Sequence, residues 1–398
     1  MTEKTTQKEK KISRKGQIVR YSVIAFSLLL ILVMATWGRD LLTLRGLSDA
    51  FNRVFYGQSL ADDVDYIFDG NDKNVFAVLK SGLAIAATDG YRYYDSHGME
   101  KTVKSVALTS PVMQKGDNRL LVYDRGGTTY FLTDARGLVG GVRTGGPIIA
   151  ASINGKNWFS IISAEQGFKG VAYVYNNNKN PKEKLRIETN EDYLLLGEIS
   201  PDNKHFLLCT VNHKDGNLSN RVVVYTMGGN VKKEIYLGSS LPLSIEFINS
   251  KNFAVVCDDA VRIYDIDGRD LGICTYKDST LVSYTMADDY FAFLVRRNKV
   301  GLKSMMITCD FSGKEINALQ TNEEIIALDA GNRYVATLSS EGILLYDRKL
   351  DCVRKYVSKK ETRNILMVDD NNILEISLNS ASKLKEEGGL ADNVSGTD

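Results

Sequence analysis

The stretch Ala260-Val261-Arg262-Ile263-Tyr264-Asp265-Ile266-Asp267-Gly268 constrains this chain most, because the chain repeats it. It reads as a short strand, an acidic residue and a turn closed by glycine. Related copies stand at Tyr93-Tyr94-Asp95-Ser96-His97-Gly98, Leu132-Thr133-Asp134-Ala135-Arg136-Gly137, Thr308-Cys309-Asp310-Phe311-Ser312-Gly313 and Leu345-Tyr346-Asp347. Two degenerate copies lie at Val174-Tyr175-Asn176 and Val224-Tyr225-Thr226. From Asp95 to Asp347, the steps between successive residues at the acid position are 39, 42, 50, 39, 45 and 37. A period of about 40–45 residues holding several short strands is a signature of propeller blades.

The segments between these copies fit that reading. Residues 74–357 divide into seven units, each with four short apolar or alternating runs separated by turn pairs such as Ser81-Gly82 and Asp89-Gly90. Two further runs, at 365–368 and 373–378, resemble the start of another unit, and the alternating run at 64–69 is their natural partner. Propellers commonly close by joining strands from both chain ends in one blade. The expected fold is therefore an all-β propeller of seven or eight four-stranded blades. Eight is favoured, because each of the seven units already has its four strands. A helical solenoid fails for lack of 3.6-residue periodicity after residue 60, and about 30 strands of one repeated pattern exceed what a sandwich needs.

The N-terminus has a different character. Residues 1–20 hold Lys4, Lys8, Lys10, Lys11, Arg14, Lys15 and Arg20, and residues 21–38 carry no charge. Eighteen helical residues would span about 27 Å, close to a bilayer's hydrocarbon thickness. Tyr21 and Trp37 flank the run, where interfacial aromatics are favoured. A cleaved signal peptide would have a shorter apolar core and a small-residue cleavage site, whereas Met34-Ala35-Thr36-Trp37-Gly38 is bulky there. The sequence predicts a basic cytoplasmic segment over 1–20, an uncleaved signal-anchor helix over 21–38 and a large extracytoplasmic domain beyond it. Residues 39–57 place Leu41, Leu44, Leu47 and Phe51 at helical spacing. They suit a juxtamembrane amphipathic helix or, alternatively, a dimerisation helix. The propeller is expected over 58–379, with a disordered Gly-, Ser- and charge-rich tail over 380–398.

Charge excludes one class of partner. The net +1 of the whole chain, less the +5 of residues 1–38, leaves −4 on the rest. A mildly acidic domain is a poor nucleic-acid binder. The five cysteines, Cys209, Cys257, Cys274, Cys309 and Cys352, form no Cys-x-x-Cys pair and sit in or beside strand-like runs, as buried structural thiols do.

The strand-Tyr-Asp-x-x-Gly pattern resembles that of WD40-like and quinoprotein-like propellers. Together with the basic N-terminus and single anchor helix, the chain resembles a family of single-pass, membrane-anchored propeller proteins of Gram-positive bacteria, over nearly its whole length. The motifs that carry this resemblance are structural, so it transfers no catalytic residue. Quinoprotein blades place a docking Trp after the Gly turn; here Met99, Leu138, Arg269 and Lys314 occupy that position, and no cofactor is implied.

Candidate chemistry is sparse. Asp265 to Asp270 begins like a calcium loop, but Arg269 replaces an oxygen ligand and no Glu closes it. Asp69-Gly70-Asn71-Asp72-Lys73-Asn74 is a second acidic turn of the same kind. His97, His205 and His213 form no metal-binding pair, and there is no Gly-x-Ser-x-Gly elbow. The Gly-rich run at 137–146 matches no phosphate loop. Asn217-Leu218-Ser219 is a formal glycosylation sequon. No catalytic, cofactor or metal residue is assigned. The expected function is a membrane-tethered protein-binding or scaffolding module with a protein partner in the cell envelope. The alternative is an envelope hydrolase or lyase with its site at the channel mouth, which clustered carboxylates and histidines would support. The long loops at 176–184 and 212–220, which break the repeat, are where function is first sought.

Overall fold

The computed structural model describes residues 60–385, apart from 62, 179–180, 215–216, 297–303 and 322. The expected anchor at 21–38 and link at 39–57 lie outside the described residues. Within them the regular elements are strands, arranged as eight four-stranded sheets. No helix among the described residues is long and apolar enough to cross a membrane.

Seven sheets each use four consecutive strands: blade 1 spans 75–105, blade 2 111–143, blade 3 148–189, blade 4 193–238, blade 5 242–275, blade 6 280–321 and blade 7 325–356. Second strands such as Gly82–Ala87, Leu120–Asp124 and Phe159–Ser163 are buried at every position. Neighbouring blades cover both their faces, so nothing requires them to alternate. Fourth strands such as Glu100–Ser105 form the wet rim and do alternate. The core is consequently divided into layers between blades. Between blades 5 and 6, Ala254 and Val256 meet Phe291, Phe293 and Ile307. Each such Phe contributes about 1.5–3 kcal/mol by leaving water.

Blade 8 closes the ring. It joins Asn364–Asp369, Asn372–Ile376 and Ser380–Lys383 to Asp65–Ile67 from the other end of the chain. Tyr66 pairs with Ala381, and Ile67 with Ser380. The blade count is eight. Two expectations need correction. The tail expected to be disordered from Ser380 instead begins with the third strand of this blade, so the closure joins three strands to one. Its Ser-Ala-Ser-Lys composition is unremarkable for a strand. Backbone partners on both sides decide the matter, because they satisfy its amides whatever the side chains. Secondly, 212–214 and 217–220 are strand rather than loop. The middle strands of blade 4, His205–Lys214 and Asn217–Thr226, run ten residues each and pair out to Lys214↔Asn217.

The repeated acid is a turn residue, as expected. Asp265 Oδ1 accepts from the backbone amides of Asp267 (3.0 Å) and Arg269 (2.9 Å), and Asp310 Oδ1 from Ser312 (2.9 Å) and Lys314 (3.0 Å). Asp347 accepts from Lys349 (2.8 Å) and Asp351 (3.0 Å) in the same way. The closing residue needs a left-handed backbone: Gly268 has φ 81° and Gly313 φ 80°. In blade 7 Leu350 holds φ 62° instead and is compensated by burial.

These turns connect third to fourth strands and define one face, the base. Each innermost strand begins at the opposite face, the mouth. The described chain enters at the base, where Ala61 N–H donates to the Ser96 carbonyl (3.1 Å). It also leaves there, where Lys385 pairs with Asp63 (2.7 Å). The extended hairpin of blade 4 projects on the mouth side.

Candidate functional site

Five successive innermost strands share an irregularity near the mouth. The register slips between Ile148 and Ala150, Leu194 and Leu196, Pro242 and Ser244, Leu281 and Ser283, and Ile325 and Ala327. Each slip is a bulge with one extra residue. The extra residues are Ile149, Leu195, Leu243, Val282 and Ile326, aliphatic in every case. Ile149 and Leu195 pack partly into neighbouring core layers. Leu243, Val282 and Ile326 are 45%, 46% and 55% exposed, which is high for residues on innermost strands. A bulge bends the strand and re-aims the side chain, which accounts for apolar groups turned out at the mouth.

Three residues further along the same strands the character changes. The positions three on from Leu195, Leu243, Val282 and Ile326 are Glu198, Glu246, Thr285 and Asp329. They pair with equivalent second-strand residues, Leu207, Ala254, Ala292 and Ala336, and so share one level of the channel wall. Burial, and next the neighbouring Glu246, push the Glu198 carboxyl well above the usual carboxylate range, against hydrogen bonds from Ser152 and the Ile199 amide. Glu246 is also raised by burial, while Oε1 accepts from Ser244 Oγ (3.0 Å) and Tyr284 OH (3.2 Å). Asp329 is raised by burial although it accepts from the Ala330 (2.9 Å) and Met367 (2.8 Å) amides and feels Lys115. Protein surrounds these carboxyl groups, yet all three residues remain partly exposed. Glu198 and Glu246 are thus held by hydroxyl and amide donors, with no cation contributing to either shift.

A cavity of about 470 Å³ opens at the same face, where blades 7, 8 and 1 meet. Its lining mixes apolar Phe76, Ile326, Ala327 and Leu378 with polar Asp72, Asn74 and Arg363. Arg363 is tied to Asp72 (2.9 Å). Asn74 Nδ2 donates to the Asp69 carbonyl (2.9 Å), while its Oδ1 is buried with no partner.

The structure disperses most residues singled out from sequence. Asp265 has both oxygens engaged, Oδ2 by Arg269 Nε (2.6 Å), and forms a turn rather than a calcium site. The turn at 69–74 is likewise self-bonded, but Asn71, Asp72 and Asn74 line the cavity, a role its sequence did not disclose. His97 lies in a base turn beside Ser96 (3.3 Å). His205 opens the second strand of blade 4, where burial lowers its pKa, and exposed His213 lies in the extended hairpin with the sequon. Carboxylates therefore gather in the channel without these histidines. The Gly-rich run forms the fourth strand of blade 2 and the link after it. A Cβ on Gly146 would lie 1.9 Å from the Ala164 carbonyl oxygen, so close packing explains that glycine. Cys209, Cys257, Cys274 and Cys309 are buried and Cys352 is exposed. The bulge residues and channel acids went unread in sequence, although the doublets Ile148-Ile149, Leu194-Leu195 and Ile325-Ile326 at the starts of blades 3, 4 and 7 carry a signal of them.

The chain belongs to the family of unknown function DUF5711, whose family model matches residues 53–385. No curated protein matches the sequence. Solved structures of similar fold include Sqt1 of Saccharomyces cerevisiae, with a TM-score of 0.59, 10% identity, and coverage of 82% of this chain and 98% of that one. BamB of Moraxella catarrhalis gives 0.53 at 12% identity over 82% and 100%. The C-terminal WD40 domain of Sif2 gives 0.57 at 14% identity over 83% and 98%. At these identities the likeness is one of fold.

Proposed function

For a DUF5711 propeller with this mouth, we propose a protein-binding or scaffolding module, tethered to the cell membrane by residues 21–38 and displayed in the envelope with its N-terminus in the cytoplasm. The observation that carries the reading is the mouth itself, where Leu243, Val282 and Ile326 stand about half exposed beside a cavity lined by both apolar and polar side chains. Protein-binding surfaces likewise join exposed apolar groups to polar ones. A rigid ring of blades holds that surface without needing to move. Tethering would raise the effective concentration for partners on the same membrane.

Protease shaving of intact cells should remove the large domain, and its complete protection would refute the topology. Crosslinking from membranes should recover a defined protein whose capture is lost on Ile326→Asp. A partner that ignores this variant would refute the mouth as docking surface.

The enzyme reading, a hydrolase or lyase, keeps one observation in its favour: Glu198 and Glu246 are neighbouring carboxyls raised by burial, as carboxyls that transfer protons are. Turnover of an envelope glycan or peptide by the purified protein, abolished by Glu198→Gln, would establish it. Absence of turnover across such substrates would remove it.

A further inference from the structure

The mouth presents two chemistries in sequence along one path. First come the aliphatic bulge residues Leu243, Val282 and Ile326, each close to half exposed. Leu241 and Leu378, 42% and 40% exposed, extend that crescent on the links beside it. Then, two to three strand rises deeper, about 7–10 Å along the wall, come Glu198 and Glu246. Among the described residues, hydroxyls and amides hold those carboxyls, and burying acids beside each other is costly without a cation.

A ligand matching both features must offer apolar surface to the crescent and carry positive charge on a stem long enough to pass it. Lysine and arginine have such stems, whose methylenes lie favourably on aliphatic surface. An extended peptide also supplies amide donors. An anionic lipid headgroup has the wrong charge for this channel.

We propose that the mouth takes an extended segment of a protein partner in which aliphatic residues flank a lysine or arginine. The aliphatic groups cover Leu243, Val282 and Ile326, and the cation passes between them to Glu198 and Glu246. This rests on the protein-binding reading above and names the chemistry of its partner.

The test pans a phage-displayed random peptide library against the full chain in detergent micelles, then measures synthetic versions of the selected peptides by fluorescence anisotropy. Selected peptides should share a basic residue beside aliphatic ones. Replacing that basic residue by glutamine should weaken binding about tenfold or more, as should Leu243→Asp or Glu246→Gln in the protein. Val103→Asp, on the blade 1 rim, should leave binding unchanged. Val282→Ser repeats the crescent test with a milder change, and unaltered thermal melting confirms that each variant is folded.

Selection of no peptide, selection of peptides without a basic residue, or indifference to both the crescent and Glu246 variants would overturn the inference. So would a crescent that binds anionic vesicles, or a concentration-dependent dimer abolished by Leu243→Asp. A crosslinked partner captured through another surface would overturn this inference and leave the scaffold reading standing. Failure to recover any partner by crosslinking would count against the scaffold itself.

Discussion

Replacing Glu198 by Gln tests the electrostatics of the channel directly. The folded protein holds this carboxyl protonated to a higher pH than an unfolded chain does, through burial first and Glu246 second. Near pH 4 both states are largely protonated and the group contributes nothing. As pH rises, the unfolded chain ionises while the folded one keeps its proton, so stability is lost. The slope reaches about 1.36 kcal/mol per pH unit for one group, until the folded carboxyl ionises and the penalty becomes constant. Gln fills the same volume, accepts from Ser152 and the Ile199 amide, and has no such loss. A domain of about 330 residues unfolds with an entropy near 0.7 kcal/mol/K, so the slope corresponds to about 2 °C per pH unit. Thermal unfolding followed by circular dichroism from pH 4 to 8 should show the two proteins melting together at the acid end. The variant should then gain progressively towards neutrality. A difference independent of pH, or a variant that falls behind as pH rises, would refute the reasoning. The second result would mean that the folded protein stabilises the charged form.

Other consequences are equally measurable. Asp265→Ala removes an acceptor of two backbone amides and an Arg269 contact, and should cost about 1–3 kcal/mol in chemical denaturation; no loss would refute its role as a turn residue. Ending the chain after Asn379 deletes the strand that joins Ile376 to Tyr66, and should leave an open, protease-sensitive ring rather than one merely shortened. Under native conditions an alkylating reagent should modify Cys352 well before Cys209, Cys257, Cys274 or Cys309, with mass spectrometry as the readout.

Part of this molecule was legible in its residues because the information is local. A strand followed by Asp and a φ-positive glycine is a hairpin turn wherever it occurs, and its recurrence fixed the architecture before any coordinates. Near-continuous apolar runs such as Leu120 to Asp124 likewise marked strands covered on both faces. Blade 4 misled because Asn212, Lys214 and Asn217 look like loop residues, whereas backbone pairing extends the ladder as far as Lys214 and Asn217. Ser380 misled for the same reason, since its partners come from opposite ends of the chain. The mouth was illegible for a different reason. Nothing local says that Leu243 protrudes while Ile245, two residues on, is core; that follows from a register slip between paired strands. Nor could the sequence reveal that Glu198 and Glu246 share one level of the channel, since they are 48 positions apart. Local turn chemistry determined that this chain winds into blades. Only the closed ring, by aligning one wall position of every blade around a single axis, decided which side chains meet there.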